Sequence, residues 1–553
     1  MTKNLKLRTF FLFVFFLIIF SILIGRLVWI QVVNAEKLSL AVERQTTADI
    51  IIRPQRGNIY DVNGNILACN VPAADVYASP KYIKDPEKAS DELSKYLSIS
   101  KETLLKVLSK KDLEWTVLER FIPMEKALSI KKLNIPGIYV EDTSKRYYPN
   151  GSMLSQVLGF TGVDGYGLYG LEYSLDRYLS GVPGREISLV DREGHKVGIP
   201  SKYYKPKEGE DVVLTVDSVI QAYAEKAIKK AYEKYKPEDG ITAIVMNPKT
   251  GEILAMANLP DFDPNDPQKV PSQEYWANPA VSSIYEPGSV FKVITAAAAL
   301  DSAVVTPDEQ FFDPGYYVVS GKKIKSWTVL GNITFSQAIE KSSNTVFIQV
   351  AERLGLDTFY KYIQAFGFGA PTGIELPGEA SGMILPKDKV YPVDFATMSF
   401  GQGIAVTPIQ MITAFSAVIN GGDLMYPHIV KYIKSEDKIV KEFKPQVVRQ
   451  VISKETSDTL RYILEKTVTE GTGQLAQVPG YRVGGKTGTT VNYQKGKYTA
   501  SFAGFAPVEN PKIAVLVIVK NPTQSGHMGG EVAAPIAQEI LKDTLSYYEA
   551  VRK

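Results

Sequence analysis

Ser289 and Lys292 stand three residues apart in Tyr285-Glu286-Pro287-Gly288-Ser289-Val290-Phe291-Lys292, just ahead of the helix-forming run Val-Ile-Thr-Ala-Ala-Ala-Ala-Leu. On a helix this spacing puts both side chains on one face, so the amine can reach the hydroxyl. A serine hydroxyl is a weak nucleophile and needs an adjacent base. A lysine serves as that base only when desolvation or neighbouring positive charge lowers its pKa, and the apolar surroundings of Lys292 allow this. Alone, the pattern carries little. Ser-x-x-Lys also occurs at Ser98/Lys101, Ser129/Lys132, Ser320/Lys323 and Ser435/Lys438, in polar, lysine-rich or glycine-containing stretches that read as solvated surface.

Two further elements raise its weight. Ser342-Ser343-Asn344 comes next, and Lys486-Thr487-Gly488-Thr489 follows on or beside an expected strand, between Gly484-Gly485 and Thr490. Such a strand offers a cation, hydroxyls and, at Gly488, an unobstructed backbone edge along which a peptide could lie as an added strand. An earlier Lys-Thr-Gly, at Lys249–Gly251, reads as a hairpin turn, where glycine is favoured for its backbone freedom.

In this order the three elements resemble the motif set of penicillin-binding proteins and serine β-lactamases. The resemblance runs over about residues 50–545. Arg56-Gly57-Asn58-Ile59-Tyr60-Asp61 with Gly64 is similar to the first signature of the class B penicillin-binding proteins. Arg146-Tyr147-Tyr148-Pro149 with Gly151, and Gly167-Leu168-Tyr169-Gly170-Leu171-Glu172, resemble their pedestal motifs. Ser399-Phe400-Gly401-Gln402-Gly403 and Thr407-Pro408 also match. The fit is nearest to the division and sporulation branch, whose members are monofunctional D,D-transpeptidases.

The resemblance implies a multidomain fold. It has one N-terminal transmembrane helix, an elongated α+β pedestal domain and a serine transpeptidase domain of α/β type, with a central antiparallel sheet flanked by helices. It also implies roles. Ser289 is then the acylated nucleophile and Lys292 takes its proton. Ser342 relays a proton to the leaving D-alanine nitrogen. Asn344 bonds the acyl donor's amide, and Lys486 adds positive potential beside Ser342. Thr487 and Thr489, with Gly488 between them, bind the substrate's terminal carboxylate. The Ser289 and Thr489 backbone N–H groups form an oxyanion hole, where donors aimed at developing charge matter most. The implied activity is cross-linking of peptidoglycan stem peptides ending in D-Ala-D-Ala, in septal or spore wall synthesis, with β-lactams as inhibitors and no cofactor or metal. No glycosyltransferase domain is expected, so the implied partners are a polytopic membrane glycan polymerase and division-complex proteins. The sequence ends soon after its last expected helix, without the repeat modules some sporulation-type relatives append, which weighs against a spore-specific role.

Two other readings remain. A D,D-carboxypeptidase or tethered β-lactamase would need a base to deacylate; Glu375 and Glu379 follow Ser-x-Asn, but similar segments occur in transpeptidases. A non-catalytic scaffold or β-lactam sensor sits poorly with complete motifs and only residues 1–8 ahead of the apolar run. His527 lies in a glycine-rich stretch and reads as a loop residue, so a Ser-His-Asp arrangement is not expected. Trp327 and Tyr316-Tyr317 read as cleft lining or as rim packing. Cys69 reads as a small residue near a strand.

The elements that must position these residues follow from the rest of the 553-residue chain. Thr9 to Ile30 is long enough to span about 30 Å of hydrocarbon. Lys3, Lys6 and Arg8 precede it, which sets the N-terminus inside. A cleaved signal peptide is the competing reading, but the run exceeds the usual 7–15 apolar residues of such peptides. The expected organisation is a tail over 1–8, an anchor over 9–30, the pedestal domain over 35–204 and the transpeptidase domain over 210–550. Lys205-Pro206-Lys207-Glu208-Gly209 reads as the linker. Ile241–Met246 and Glu252–Ala257 at the start, and Arg482–Gly485, Ala500–Phe505 and Ile513–Lys520 at the end, bracket a helical middle. A sheet assembled from both ends with helices on it is the simplest packing. The net charge of +3 is too small to imply a nucleic-acid partner. One cysteine excludes an intramolecular disulfide or a multi-cysteine zinc site. With three histidines in the whole sequence, a His-rich metal site is not expected.

Overall fold

A computed structural model describes residues 2–38, 47–189, 202–492 and 496–551. His195 and the last two residues lie outside them. The chain divides into two compact units: residues 1–55 with 181–208, and residues 56–180 with 209–553.

The first unit holds a helix over Thr2–Val28 that continues as a wider π-type turn over Trp29–Val33. From Lys3 to Val33 it is long and apolar enough to cross a membrane. The same unit contains a three-stranded antiparallel sheet in which Gly184–Leu189 lies between Thr47–Ile52 and Lys202–Tyr204.

Among its described residues the second unit contains two large sheets and three two-stranded ones. In the larger, strand Ile66–Ala78 pairs with Thr116–Pro123 and Ile138–Tyr147. The short strand Ile59–Tyr60 joins it to Asp211–Leu214, which lies parallel to Ile59–Tyr60 and antiparallel to Val430–Ser435. Strands from the expected pedestal domain (Ile59–Tyr60, Ile66–Ala78) and from the expected transpeptidase domain (Asp211–Leu214, Val430–Ser435) are therefore woven into one sheet. Arg56 and Arg146 meet over a shared carboxylate: Arg56 Nε lies 2.6 Å from Glu172 Oε2 and Arg146 Nε 2.6 Å from Glu172 Oε1. Arg56 also reaches Asp176 at 2.7 Å. The element resembling the first class B signature and the two resembling pedestal motifs thus interlock in one buried ionic knot.

The smaller of the two large sheets carries the site. In chain order its elements are α1 (Ser218–Tyr235), β1 (Ile241–Met246), β2 (Ile253–Leu259), α2 (Lys292–Asp301), α3 (Asn344–Leu354), α4 (Leu356–Ala365), α5 (Pro408–Ile419), β3 (Gly484–Asn492), β4 (Lys497–Ala506), β5 (Ile513–Lys520) and α6 (Gly529–Val551). Strand order is β2-β1-β5-β4-β3, antiparallel throughout. This is the sheet built from both ends of the domain that the sequence predicts.

Strand β5 shows why its sequence is apolar without alternation. Ala514, Leu516 and Ile518 pack into the core with α2 and α5, while Ile513, Val515, Val517 and Val519 pack on the other face against α1 and α6. Side chains alternate across a strand, so a strand covered on both faces needs apolar residues at every position. Asp217 caps α1 as expected, accepting from the Val219 N–H at 2.8 Å. Thr407 and Gln410 form a reciprocal capping box at the start of α5, with Pro408 in its first turn. That helix is buried along its whole length and backs the alanine-rich α2, whose small side chains allow close approach.

Candidate active site

Ser289 occupies a 3-10 turn, Gly288–Val290, that runs directly into α2. Gly288 has φ +54°, and a Cβ there would stand 2.4 Å from the Thr490 side chain. Its backbone N–H donates to Gly401 O at 3.0 Å, and a Cβ on Gly401 would meet Gly288 O at 2.2 Å. Glycine at both positions thus allows the nucleophile turn to press against β3 on one side and the Ser399–Gly403 segment on the other. Gly488 serves the same contact: a Cβ there would lie 2.9 Å from Pro287 O and from Val290 Cγ2.

Lys292 and Lys486 are both fully buried. Lys292 Nζ donates to Ser342 O at 2.6 Å and Asn344 Oδ1 at 2.8 Å, and lies 3.2 Å from Ser342 Oγ. Lys486 Nζ lies 3.0 Å from the same Oγ and 3.1 Å from Thr487 O. The three motifs of the sequence therefore meet at one hydroxyl. In this arrangement the amine of Lys292 bonds Ser342 and Asn344, and no hydrogen bond joins it to Ser289. Hydrogen bonds between a nucleophile and its base are often loose before substrate arrives.

Burial holds Lys292 well below the usual lysine range, and the neighbouring charge of Lys486 pushes the same way, against a smaller opposing pull from Asp313. Burial alone pushes Lys486 down to about 7. The geometry fits a neutral Lys292. Ser342 O and Asn344 Oδ1 can only accept, so they take its two N–H groups; the Ser342 hydroxyl can turn and donate to the remaining lone pair.

Ser342 itself sits at φ +58°, in the left-handed region. For a non-glycine residue this costs on the order of 1–3 kcal/mol and persists only where the surroundings enforce it. The enforcement is visible next door. Ser343 caps α3 through Val346 N–H and donates to the buried Asp313 at 2.5 Å. Asn344 Nδ2 reaches Lys325 O at 3.2 Å. Trp327 donates its indole N–H to Lys341 O at 2.8 Å and is 62% exposed, so it lies at the rim. Tyr317 packs against the small cluster of Val319, Ile348, Ala396 and Phe400, its hydroxyl bonded to Glu352 at 2.7 Å.

On β3 the two threonines are held in place from outside the motif. Thr487 Oγ1 pairs with Thr472 Oγ1 at 2.7 Å, and Thr489 Oγ1 accepts from the Gly529 N–H, the first residue of α6, at 2.9 Å. Asp313, Thr472 and Gly529 escape sequence reasoning. Only Thr472 carries a local hint, its position between Gly471 and Gly473.

The remaining candidates fall elsewhere. Glu375 is half-buried and accepts from the Ile429 N–H at 2.9 Å, and desolvation pushes its carboxyl up. Glu379 accepts from Thr372 and Gly373. Both carboxylates brace loops. His527 is exposed and lies against Tyr498, with ring centroids 4.3 Å apart and the planes tilted by 40°. Cys69 lies on the strand Ile66–Ala78, opposite Tyr147.

Residues 241–542 match the family model described as the penicillin binding protein transpeptidase domain, and residues 51–214 match the penicillin-binding protein dimerisation domain. The chain is 44% identical to stage V sporulation protein D of Bacillus subtilis, over 98% of this chain and 86% of that protein. It is 29% identical to the peptidoglycan D,D-transpeptidase FtsI of Escherichia coli, over 96% of this chain and 90% of that one. Among solved structures, penicillin binding protein 3 of Mycobacterium tuberculosis, complexed with aztreonam, superposes with a TM-score of 0.71 at 29% identity, covering 91% of this chain and 98% of that one. With both domain families matched and the fold shared along its length, the chain belongs to the class B penicillin-binding proteins.

Proposed function

We propose that the chain is a serine D,D-transpeptidase that cross-links peptidoglycan stem peptides through an acyl-enzyme on Ser289. The observation that carries this reading is the single hydroxyl of Ser342 set between two buried lysines, next to the strand that presses on the Ser289 turn. Ser289 Oγ attacks the carbonyl carbon of the penultimate D-alanine, and its proton passes to the neutral Lys292 Nζ. The backbone N–H groups of Ser289 and Thr489 stabilise the oxyanion that develops. The C–N bond then breaks, with a proton delivered through Ser342 to the departing D-alanine nitrogen. The amine of a second stem peptide attacks the ester, its proton returns along the same path, and Ser289 regains its O–H.

In this reading Lys486 keeps the Ser342 hydroxyl polarised, Asn344 bonds the donor's amide, and Thr487 and Thr489 flank the terminal carboxylate, with Gly488 leaving the backbone edge clear. Residues 9–30 form the anchor, with 1–8 cytoplasmic and the pedestal (35–204) and transpeptidase (210–550) domains outside, in keeping with the basic residues ahead of the apolar run. A polytopic glycan polymerase and division-complex proteins are the partners. Relatives named for sporulation and for FtsI support use at the septum or the spore wall.

Intact mass of the purified chain, followed over time after penicillin is added, tests this reading. A long-lived adduct of one drug molecule, absent in Ser289→Ala, is the expected result. An adduct that vanishes while drug is consumed would make the protein a hydrolase. An unchanged adduct in the variant would remove Ser289 as the nucleophile.

A further inference from the structure

Asp313 ends the strand Gln310–Asp313 and is fully buried, yet it has no ion-pair partner among the described residues. A carboxylate buried without a cation must be compensated by hydrogen bonds. Its Oδ1 accepts from the Gly315 N–H at 2.8 Å, and Oδ2 accepts from the Ser343 hydroxyl at 2.5 Å. Both bonds run into the carboxyl group, which suits its ionised, acceptor-only form. Ser343 Oγ in turn accepts from the Val346 N–H at 3.1 Å and so fixes the first turn of α3. On either side of Ser343 stand Ser342 and Asn344, whose O and Oδ1 hold the Lys292 amine.

Around that amine Asp313 is the one negative group among the described residues. The rings of Phe347 and Phe400 lie 5.4 Å and 6.0 Å from Lys292 Nζ, and Ser342 and Asn344 are neutral. Of the charged groups that act on Lys292, Lys486 on β3 disfavours its protonation and Asp313 favours it. A base weakened too far takes a proton poorly, so a site with two buried lysines gains from a carboxylate that opposes their mutual repulsion. We propose that Asp313 is a positioning residue for acylation: tethered through Ser343, it fixes the turn that holds the Lys292 amine, and its charge keeps that amine basic enough to take the Ser289 proton.

This role rests on Lys292 being the base. Asp313→Asn tests it in the full chain, by stopped-flow penicillin acylation from pH 5 to 9, with the limiting rate separated from the half-saturating concentration. Asparagine can keep both contacts. Its oxygen accepts from Gly315, its amide donates to Ser343 Oγ, and the freed hydroxyl turns to Thr345 Oγ1, 3.1 Å away. Only the charge is lost. One charge acting across such a site is worth about one unit on a lysine, and about half of that should appear in the rate. The limiting rate should thus fall about threefold at pH 8–9. Toward pH 5 the deficit should shrink and turn into a gain, because the less basic amine stays neutral there. Half-saturation and the thermal midpoint should not move. Ser343→Ala cuts the tether and leaves the charge, and should slow acylation about tenfold at every pH. The proposal is overturned by an Asp313→Asn rate equal to the parent's throughout, by a deficit that is the same at every pH, or by a Ser343→Ala that acylates like the parent. Lys292→Arg, run alongside, separates the two assignments. Normal acylation in that variant would remove Lys292 as the base and this proposal with it, whereas slow acylation there beside an unaltered Asp313→Asn would remove only the role of Asp313.

Discussion

Lys292 and Lys486 come from opposite ends of the transpeptidase domain, are both sealed from solvent, and converge on one hydroxyl, 3.2 Å and 3.0 Å from Ser342 Oγ. One hydroxyl proton cannot be donated to both. If Lys292 is neutral and receives it, Lys486 donates into the same oxygen, and the three groups form a directed chain that can move a proton by one step along its length.

Cutting the chain at its centre should be costly. Ser342→Ala is expected to lower the rate of penicillin acylation by about 10²-fold, the lower end for loss of a proton-transfer group. Stopped-flow acylation kinetics measure this, and a rate within a factor of two or so of the parent would remove Ser342 from the proton path.

Lys292→Arg keeps the positive charge but supplies a guanidinium that does not deprotonate in proteins. Acylation should fall by about 10²–10⁴-fold. In the parent, burial keeps Lys292 well below the ordinary lysine pKa. From pH 9 down to 7 the acylation rate should therefore not show the loss of about tenfold per unit that a lysine of ordinary pKa would impose. A rate that climbs steadily through this range would contradict the assignment.

Lys486 makes stability depend on pH. Burial pushes it down to about 7 in the fold, whereas in the unfolded chain it titrates near 10.4. Between those values the unfolded state binds the extra proton, so stability rises with pH, by at most about 1.4 kcal/mol per unit from this group. Below about pH 7 the lysine is charged in both states and adds no slope. The stability difference between the parent and Lys486→Met should thus shift in the parent's favour from pH 7 to 9 in urea titrations. Parallel pH profiles for the two proteins would refute it.

Gly288→Ala adds a methyl group 2.4 Å from the Thr490 side chain at a residue with φ +54°. The backbone strain alone is worth about 1–2 kcal/mol. The variant should melt several degrees lower and acylate at least about tenfold more slowly, because the nucleophile turn is displaced from β3. Alanine at Gly64, where φ is +86° and nothing stands within 4 Å, serves as the control for strain without the clash.

Glu172→Ala leaves Arg56 and Arg146 buried without their common carboxylate. Breaking a buried ion pair from one side costs about 3–5 kcal/mol. Limited proteolysis should find new cleavage within residues 56–180, while an undisturbed digestion pattern would mean water had taken the place of the carboxylate.

The residues that do chemistry were legible because each lies in a short local pattern, and their order along the chain is diagnostic. The sheet was legible because β5 is apolar from Ile513 to Val519 and β1 and β2 are largely apolar stretches on either side of a turn. Contacts that carry no spacing rule were not legible. Nothing near Asp313 predicts its bond to Ser343, and nothing near Gly529 predicts that its N–H holds Thr489. Ser289 was expected on the helix with Lys292; it sits instead in the tighter turn before it, and the amine reaches across to Ser342 and Asn344. The Lys205–Gly209 segment read as a linker because proline, lysine and glycine are locally loop-forming. The pairing of Asp211–Leu214 with Ile59–Tyr60 spans far too much sequence for any local signal to reveal.

That pairing has a practical side for anyone cutting the gene. A fragment beginning at residue 210 would leave Asp211–Leu214 with one flank unzipped where Ile59–Tyr60 had been, a bare strand of the kind that recruits other chains. The transpeptidase cannot be lifted out as a cassette: a hybrid that swaps pedestals between relatives would have to carry the 56–78 segment along with its catalytic partner, or splice inside a continuous sheet.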